Sequence, residues 1–260
     1  MLLLIGRWPE LEDLYRQDLE QAVAAGLRRQ EATSLLGRGE LQGWRNEHRQ
    51  AEETLGRAAF IFRELGDATG RLRCENGLAV VYTHLGLYQK AEALITACSE
   101  QARQLDHRAA LCSFLNSHAV LCRMQQQYDR AIACLEERMA ISLARGDASD
   151  IASSHMNIAV LCSERGQHGL ALDHNRIALE MSERTGDIML QHHAVYNHAS
   201  ILYKLGRNAE SLGFFGKALV ISRHVGDDDS SALILEDIAR VEAKLAAQGP
   251  CHEAGGSGAM

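Results

Sequence analysis

Proline is nearly missing from this chain: two occur in 260 residues, Pro9 and Pro250, and none stands between them. Proline removes an amide donor and breaks helices, so an interior free of it points to a nearly all-helical protein. Aromatic residues are also scarce, at 5%, and the 46% hydrophobic content is mostly Ala, Leu, Ile and Val. Such residues fill thin helix-on-helix interfaces rather than one thick core. No apolar run approaches the ~20 residues of a membrane span, and Met1-Leu2-Leu3-Leu4-Ile5 is too short for a signal segment. The seven Cys form no C-x-x-C pair and are read as reduced thiols, which makes the cytoplasm the expected location. Basic charge is in deficit, 27 Lys and Arg against 34 Asp and Glu, and this opposes the counterion release that drives nucleic-acid binding. Neither a membrane nor a nucleic acid is an expected partner.

What the chain does have is a period. Gly-Asp pairs stand at Gly66-Asp67, Gly146-Asp147, Gly186-Asp187 and Gly226-Asp227, the missing member falls at Asp106, and Gly26 continues the series backward. Twenty residues into each 40-residue period lies a second break: Gly6, Asn46, Gly86, Gln126, Gly166 and Gly206. Glycine suits the left-handed position after a helix, and the Asp behind it can accept from the free amides of the next one. Between breaks, small residues recur in phase: Gly39, Ala79, Ala119, Ala159, Ala199 and Ala239 in the first segment, and Ala51, Ala91, Ala131, Ala171 and Ser211 in the second. Large residues lie between them, at Leu55, Ile95, Leu135 and Phe215. Each unit is therefore expected to be two helices that approach closely at the small positions.

Leu78-Ala79, Tyr82, Gly86, Tyr88, Ala91, Ile95 and Cys98 resemble the tetratricopeptide repeat motif, with further copies at His198-Ala199 to Ala218 and Ile158-Ala159 to Ala178. The 40-residue period with a Gly-Asp close resembles the extended subclass found in kinesin light chains, cell-polarity adaptors and bacterial sensor-regulators. The resemblance implies an all-α fold, a right-handed α-solenoid of about 12 antiparallel helices. As domains, residues 1–247 form a single solenoid: a half repeat at 6–25, repeats at 26–65, 66–105, 106–145, 146–185 and 186–225, and a polar capping helix at 227–246. Residues 248–260, with Gly255-Gly256-Ser257-Gly258, read as a disordered tail. Because Met1 to Ile5 fall where a first helix should end, the array begins mid-repeat, as in a segment of a longer protein.

In this family the first helix of each pair lines the concave side. In the unit from 66 the core face takes Leu78, Ala79, Val81, Tyr82 and Leu85, leaving positions 73, 76, 77, 80, 83 and 84 for the groove. Along the array this yields Arg73, Asn76, Asn116, Arg123, Asn157, His193, Tyr196, Asn197, Tyr203 and Lys204 as the partner-binding set. A ladder of Asn, each both donor and acceptor, suits the backbone of an extended peptide, and the cations would select an acidic feature. The competing reading is that these Asn bridge neighbouring helices. The two-lysine carboxylate clamp of chaperone-binding relatives is absent, since its phases hold Asn76, Val80 and His84.

No metal or cofactor is expected. His193 and His198 are five apart, which is not chelating geometry on a helix, and Gly37-Arg38-Gly39 with Gly43 follows no strand and falls short of a phosphate loop. Cys122 and Cys162 share a core phase and are read as packing. No Ser-His-Asp or Cys-His pairing stands out, so no enzyme activity is expected. The expected function is a protein-interaction scaffold or adaptor holding a partner's peptide or helix in its groove. The alternatives are a ligand- or peptide-sensing module of a larger regulator, and a self-assembling module in which a second copy covers the unfinished half repeat.

Overall fold

The computed structural model describes residues 8–248. The segment Met1 to Ile5, Gly6 and the tail beyond Gln248 lie outside the described residues. Within them are twelve α-helices: α1 (Trp8–Ala24), α2 (Arg28–Trp44), α3 (His48–Glu64), α4 (Ala68–His84), α5 (Tyr88–Gln104), α6 (Arg108–Met124), α7 (Tyr128–Arg145), α8 (Ala148–Glu164), α9 (His168–Thr185), α10 (Ile188–Lys204), α11 (Asn208–Val225) and α12 (Asp228–Gln248).

One device ends the first eleven. A residue with positive φ stands at every twentieth position from Gly26 to Gly226, and Asn46, Asp106 and Gln126 adopt it without being glycine, at φ of 60, 46 and 59°. The chain then folds back on its own carbonyls: Gly66 N donates to Arg63 O at 3.1 Å and Asp67 N to Phe62 O at 2.9 Å. At alternate breaks the next residue caps the following helix. Asp67, Asp147, Asp187 and Asp227 accept from the amides of Gly70, Asp150, Leu190 and Ser230 at 2.9, 3.1, 3.0 and 2.9 Å. Where Asp106 takes the glycine's place, the His107 ring does this work, accepting from Ala110 N at 3.2 Å.

The small positions bring each pair together. Ala51, Ala79, Ala91, Ala131, Ala159, Ala171 and Ala199 are fully buried, and a Cβ on Gly39 would lie 2.6 Å from Leu55 Cγ, so α2 and α3 meet there only over glycine. Leu55, Ile95, Leu135 and Phe215 are buried between them, each worth roughly 1.5–3 kcal/mol. The same phase holds Asn175 on α9, which is fully buried and donates its Nδ2 to Ala194 O at 2.8 Å. Consecutive helices pack along the whole chain, and in addition α2 packs on α4, α4 on α6, and α8 on α10. The odd-numbered helices have no comparable packing on one another, so the stack is an α-solenoid with the even-numbered helices on its inner side.

One repeat breaks the pattern inside the core. The phase that holds Ala58, Cys98, Ala178 and Ala218 elsewhere holds Arg138 on α7. The neighbouring phase makes room, because Ser154 stands where the preceding repeat has Phe114. Arg138 is 7% exposed, pairs with the Asp150 carboxylate, and donates to Ser154 Oγ at 2.8 Å and Asp150 O at 3.1 Å. Arg138→Ala would leave the Asp150 carboxylate with only its longer contacts, to Arg145 at 3.3 Å and to Ser142 Oγ at 3.4 Å. Because Asp150 is partly solvated, the loss should be about 2–3 kcal/mol, below the ~3–5 of a fully buried pair. Gln126→Gly should instead stabilise by about 0.5–1 kcal/mol, since it removes a left-handed strain of ~1–2 and adds a glycine entropy cost of ~0.5–1. Urea denaturation followed by circular dichroism checks both.

Candidate functional site: the inner face of the solenoid

The inner strip consists of side chains on α2, α4, α6, α8, α10 and α12, and its geometry follows from the period. Helices 40 residues apart lie side by side, so a side chain reaches the next repeat at an offset of 41. Ser117 Oγ donates to Asn76 Oδ1 at 2.8 Å, Asn157 Nδ2 to Asn116 Oδ1 at 2.9 Å, Lys204 Nζ to Ser163 Oγ at 3.0 Å, and Tyr196 OH to Asp237 Oδ2 at 2.8 Å. Arg123 Nε meets Glu164 Oε1 at 3.1 Å on the same offset. Arg73, 59% exposed, reaches only Glu40 at 3.5 Å, a long contact of small worth.

Most of the sequence-derived set therefore lines the inner helices, but as a ladder already rung to rung. Asn76, Asn116 and Asn157 bridge neighbouring repeats, the competing reading of these residues. Asn197 differs, since its amide has no partner among the described residues. His193 is open to solvent and its ring stands 5.4 Å from that of His192. The Tyr203 ring lies under Lys244 Nζ at 4.5 Å, and the Tyr196 ring packs edge-on to Phe215 at 5.6 Å. One groove position is corrected: Thr83 is buried, with its hydroxyl donating to Ala79 O at 2.8 Å, because it faces the helix stack rather than the groove. Gly77 is half-buried and lines an inner recess beside Leu55.

Sequence reasoning left Glu40 and Asp237 out of the strip. Glu40 joins Arg73, Asn76, Trp44, Val80 and His84 around a recess of about 230 Å³ between α2 and α4. Burial raises the Glu40 pKa and the Arg73 guanidinium pulls it back. The His84 ring stacks on His48 at 5.1 Å, and its pKa is lowered by burial first and by His48 next. The 41-residue offset, applied from Arg123 to Glu164 and from Tyr196 to Asp237, was the available signal for these partners. Among the described residues no group of three or more His, Cys, Asp or Glu is placed to hold a metal ion, and no helix is long and apolar enough to cross a membrane.

Histidines crowd the carboxyl-terminal half. His155 and His174 face each other through Nδ1 atoms 3.0 Å apart, so one ring donates to the other. His192 is 3% exposed with neither ring nitrogen bonded, in the phase held by Leu72, Cys112 and Ala152.

The class defined by these features is a solenoid of helical hairpins with a polar inner strip. Residues 70–144 and 110–184 match the family model described as tetratricopeptide repeat. Residues 70–184 are therefore tetratricopeptide repeats, and the same punctuation runs on through the helices at either side. Among solved structures the chain is similar to a Rap protein complexed with Competence and Sporulation Factor, at TM-score 0.67 and 14% identity, over 93% of this chain and 72% of that one. It is similar to NprR in complex with its cognate peptide NprX at TM-score 0.67 and 16% identity, over 85% of this chain and 65% of that one. BtubC from P. vanneervenii is similar at TM-score 0.61 and 14% identity, over 97% of both chains. At these identities the likeness is one of fold. No curated protein matches the chain by sequence.

The histidines generate a pH prediction. Burial lowers the pKa of His155, His174, His192 and His198 from the ordinary 6.5, so each resists protonation when folded and accepts a proton first when unfolded. Their contribution is complete above 6.5 and is lost as pH falls from there through the depressed folded values. His118, raised mainly by its bond with Cys122, acts in the opposite sense. Net, the midpoint of thermal unfolding should drop between pH 7.5 and pH 5. His192→Leu should flatten that dependence, as a calorimetric pH series would reveal.

Proposed function

We propose that this chain is a non-enzymatic interaction scaffold whose inner face holds an extended peptide or a helix from a partner protein. The carrying observation is the polar ladder of the inner helices, whose Asn116 and Asn157 amides are held in place across repeats while the Asn197 amide and the His193 ring stay open. A preformed row of donors and acceptors binds a peptide backbone with little ordering of its own. Arg73, held only by a long contact to Glu40, is the cation free to turn to an acidic group on that partner. Arg123 and Lys204 are engaged with Glu164 and Ser163 and act as walls of the groove. Tyr196 and Tyr203 supply apolar surface beside them. The fold's likeness to proteins solved with Competence and Sporulation Factor and with NprX supports a peptide as occupant. The proposed setting is the cytoplasm, with no nucleic acid or membrane partner.

The same likeness favours a second reading, a peptide-sensing module that regulates an attached effector. Solenoids suit it, because small rotations per repeat add along the array. Self-assembly through the stacking face of α1 is the third, and its signature is a mass in solution that rises with concentration.

The test is a lysate pull-down with mass spectrometry, the wild type beside Asn157→Ala/Asn197→Ala. Asn157→Ala removes one half-exposed hydrogen bond, so the double variant should keep its helicity and lose no more than about 1 kcal/mol of stability. A protein or peptide retained by the wild type alone supports the groove. Equal retention by both shifts binding off these amides, and loss of helicity in the variant would make the asparagines structural.

A further inference from the structure

The register that satisfies most of the inner face fails at its amino-terminal end. The residue at an offset of 41 from Glu40 is Val81, and from Arg73 it is Phe114, so neither charge finds a polar rung on the next repeat. Glu40 and Arg73 meet only each other, at 3.5 Å, with the Glu40 side chain 30% exposed. Asn76 accepts from Ser117 through Oδ1, and its amide hydrogens have no acceptor among the described residues. A carboxylate, a guanidinium and an amide donor therefore stand together with bonding capacity unused.

The space beside them exists because side chains are missing. Gly39 stands where later repeats carry alanine, Gly43 where they carry Thr83, Arg123, Ser163 and Tyr203, and Gly77 where they carry Ser117, Asn157 and Asn197. These three glycines, with Trp44, Leu55 and Val80, border the recess of about 230 Å³ that Glu40, Arg73 and Asn76 also line. The same three polar residues line a second recess of about 120 Å³ toward α6, so the polar group lies where the two meet.

The chemistry narrows what such a recess holds. Burial raises the Glu40 pKa, the mark of a carboxylate partly stripped of water, and such a group gains from a cation brought to it. A purely anionic ligand would suit Arg73 and face Glu40, and a purely cationic one would meet the reverse. A molecule with both charges on one carbon suits both, and the long Glu40–Arg73 contact gives way to two short charge-assisted bonds. The recess is smaller than the ~300–1,000 Å³ of sites for drug-sized ligands, and its walls are apolar.

We infer that the recess between α2 and α4 binds a free α-amino acid with a large apolar side chain, of the leucine, methionine or phenylalanine type. Arg73 and the Asn76 amide take its carboxylate, Glu40 takes its ammonium, and its side chain lies against Trp44 and Val80 over the glycines. Neither end of a peptide offers this pair of charges on one carbon, since the amino end lacks the carboxylate and the carboxyl end lacks the ammonium. The site shares Arg73 and Asn76 with the proposed groove but needs no partner protein, so a titration of the recess and the pull-down can fail independently.

The test is an NMR titration of the isotope-labelled full chain with L-leucine, L-methionine and L-phenylalanine, following the indole signal of Trp44, one of only two in the chain. At least one amino acid should shift that signal to saturation with a Kd below about 1 mM, and its N-acetyl and carboxamide forms should each bind about ten- to hundredfold more weakly. Glu40→Gln and Arg73→Gln should each weaken the free amino acid by a similar factor. Gly43→Leu should abolish binding by filling the recess, and a Cβ there has no other atom within 4 Å, so the helix accepts it. The inference is overturned if no signal moves with any of the three amino acids at about 10 mM. Equal affinity for the N-acetyl or the carboxamide form would overturn it too, as would binding that Gly43→Leu leaves intact. The wild-type comparison of each amino acid with its two derivatives decides the matter even if a variant fails to fold.

Discussion

A left-handed residue every twenty positions is the constraint on which the rest of this structure depends. It holds each of the helices α2 to α11 to 17 or 18 residues, so successive hairpins superimpose and residues 40 apart take equivalent places. One inserted residue in a helix would rotate everything beyond it by about 100° and carry the small positions off the interface. Glycine meets the demand at eight breaks; Asn46, Asp106 and Gln126 meet it under strain that the packing of the helices on either side sustains.

The register also explains why the inner face is polar and yet largely satisfied. Once equivalent helices lie side by side, a polar side chain on one finds the next repeat at an offset of 41, and five such rungs form from Asn76 to Asp237. Each net contribution is only about 1 kcal/mol, but the rungs hold the amides in fixed orientation. Ladder residues can therefore be structural and recognitional at once. A ligand that takes up their free donors and acceptors meets groups whose ordering is already complete.

Chemistry enters where a repeat departs from its own phase. Arg138 replaces an alanine and is accommodated because Ser154 replaces a phenylalanine; Asn175 replaces a leucine and finds a carbonyl. His192 sits in a core phase with neither ring nitrogen bonded. In a repetitive array each such departure is compensated by its immediate neighbours, because every repeat contacts only those beside it.

The helical class, the number of helices and every break among the described residues were legible in the sequence. They depend on backbone conformation and on the size of side chains at fixed spacing, both of which are local. The placement of the proposed contact residues on the inner helices was legible too, through the resemblance to the repeat family. Its pairing was not, since Asn157 and Asn197 share a phase and look alike in the sequence, but one has an acceptor in Asn116 and the other has none. Thr83 shows the same limit: its position on the helix wheel left it in the groove, and only the packing of the helices buried it. The sequence alone determined which residues recur every 40 positions. Only the tertiary structure decided which of them touch, because a hydrogen bond between repeats depends on the rotation of two helices about each other, which no spacing within one helix records.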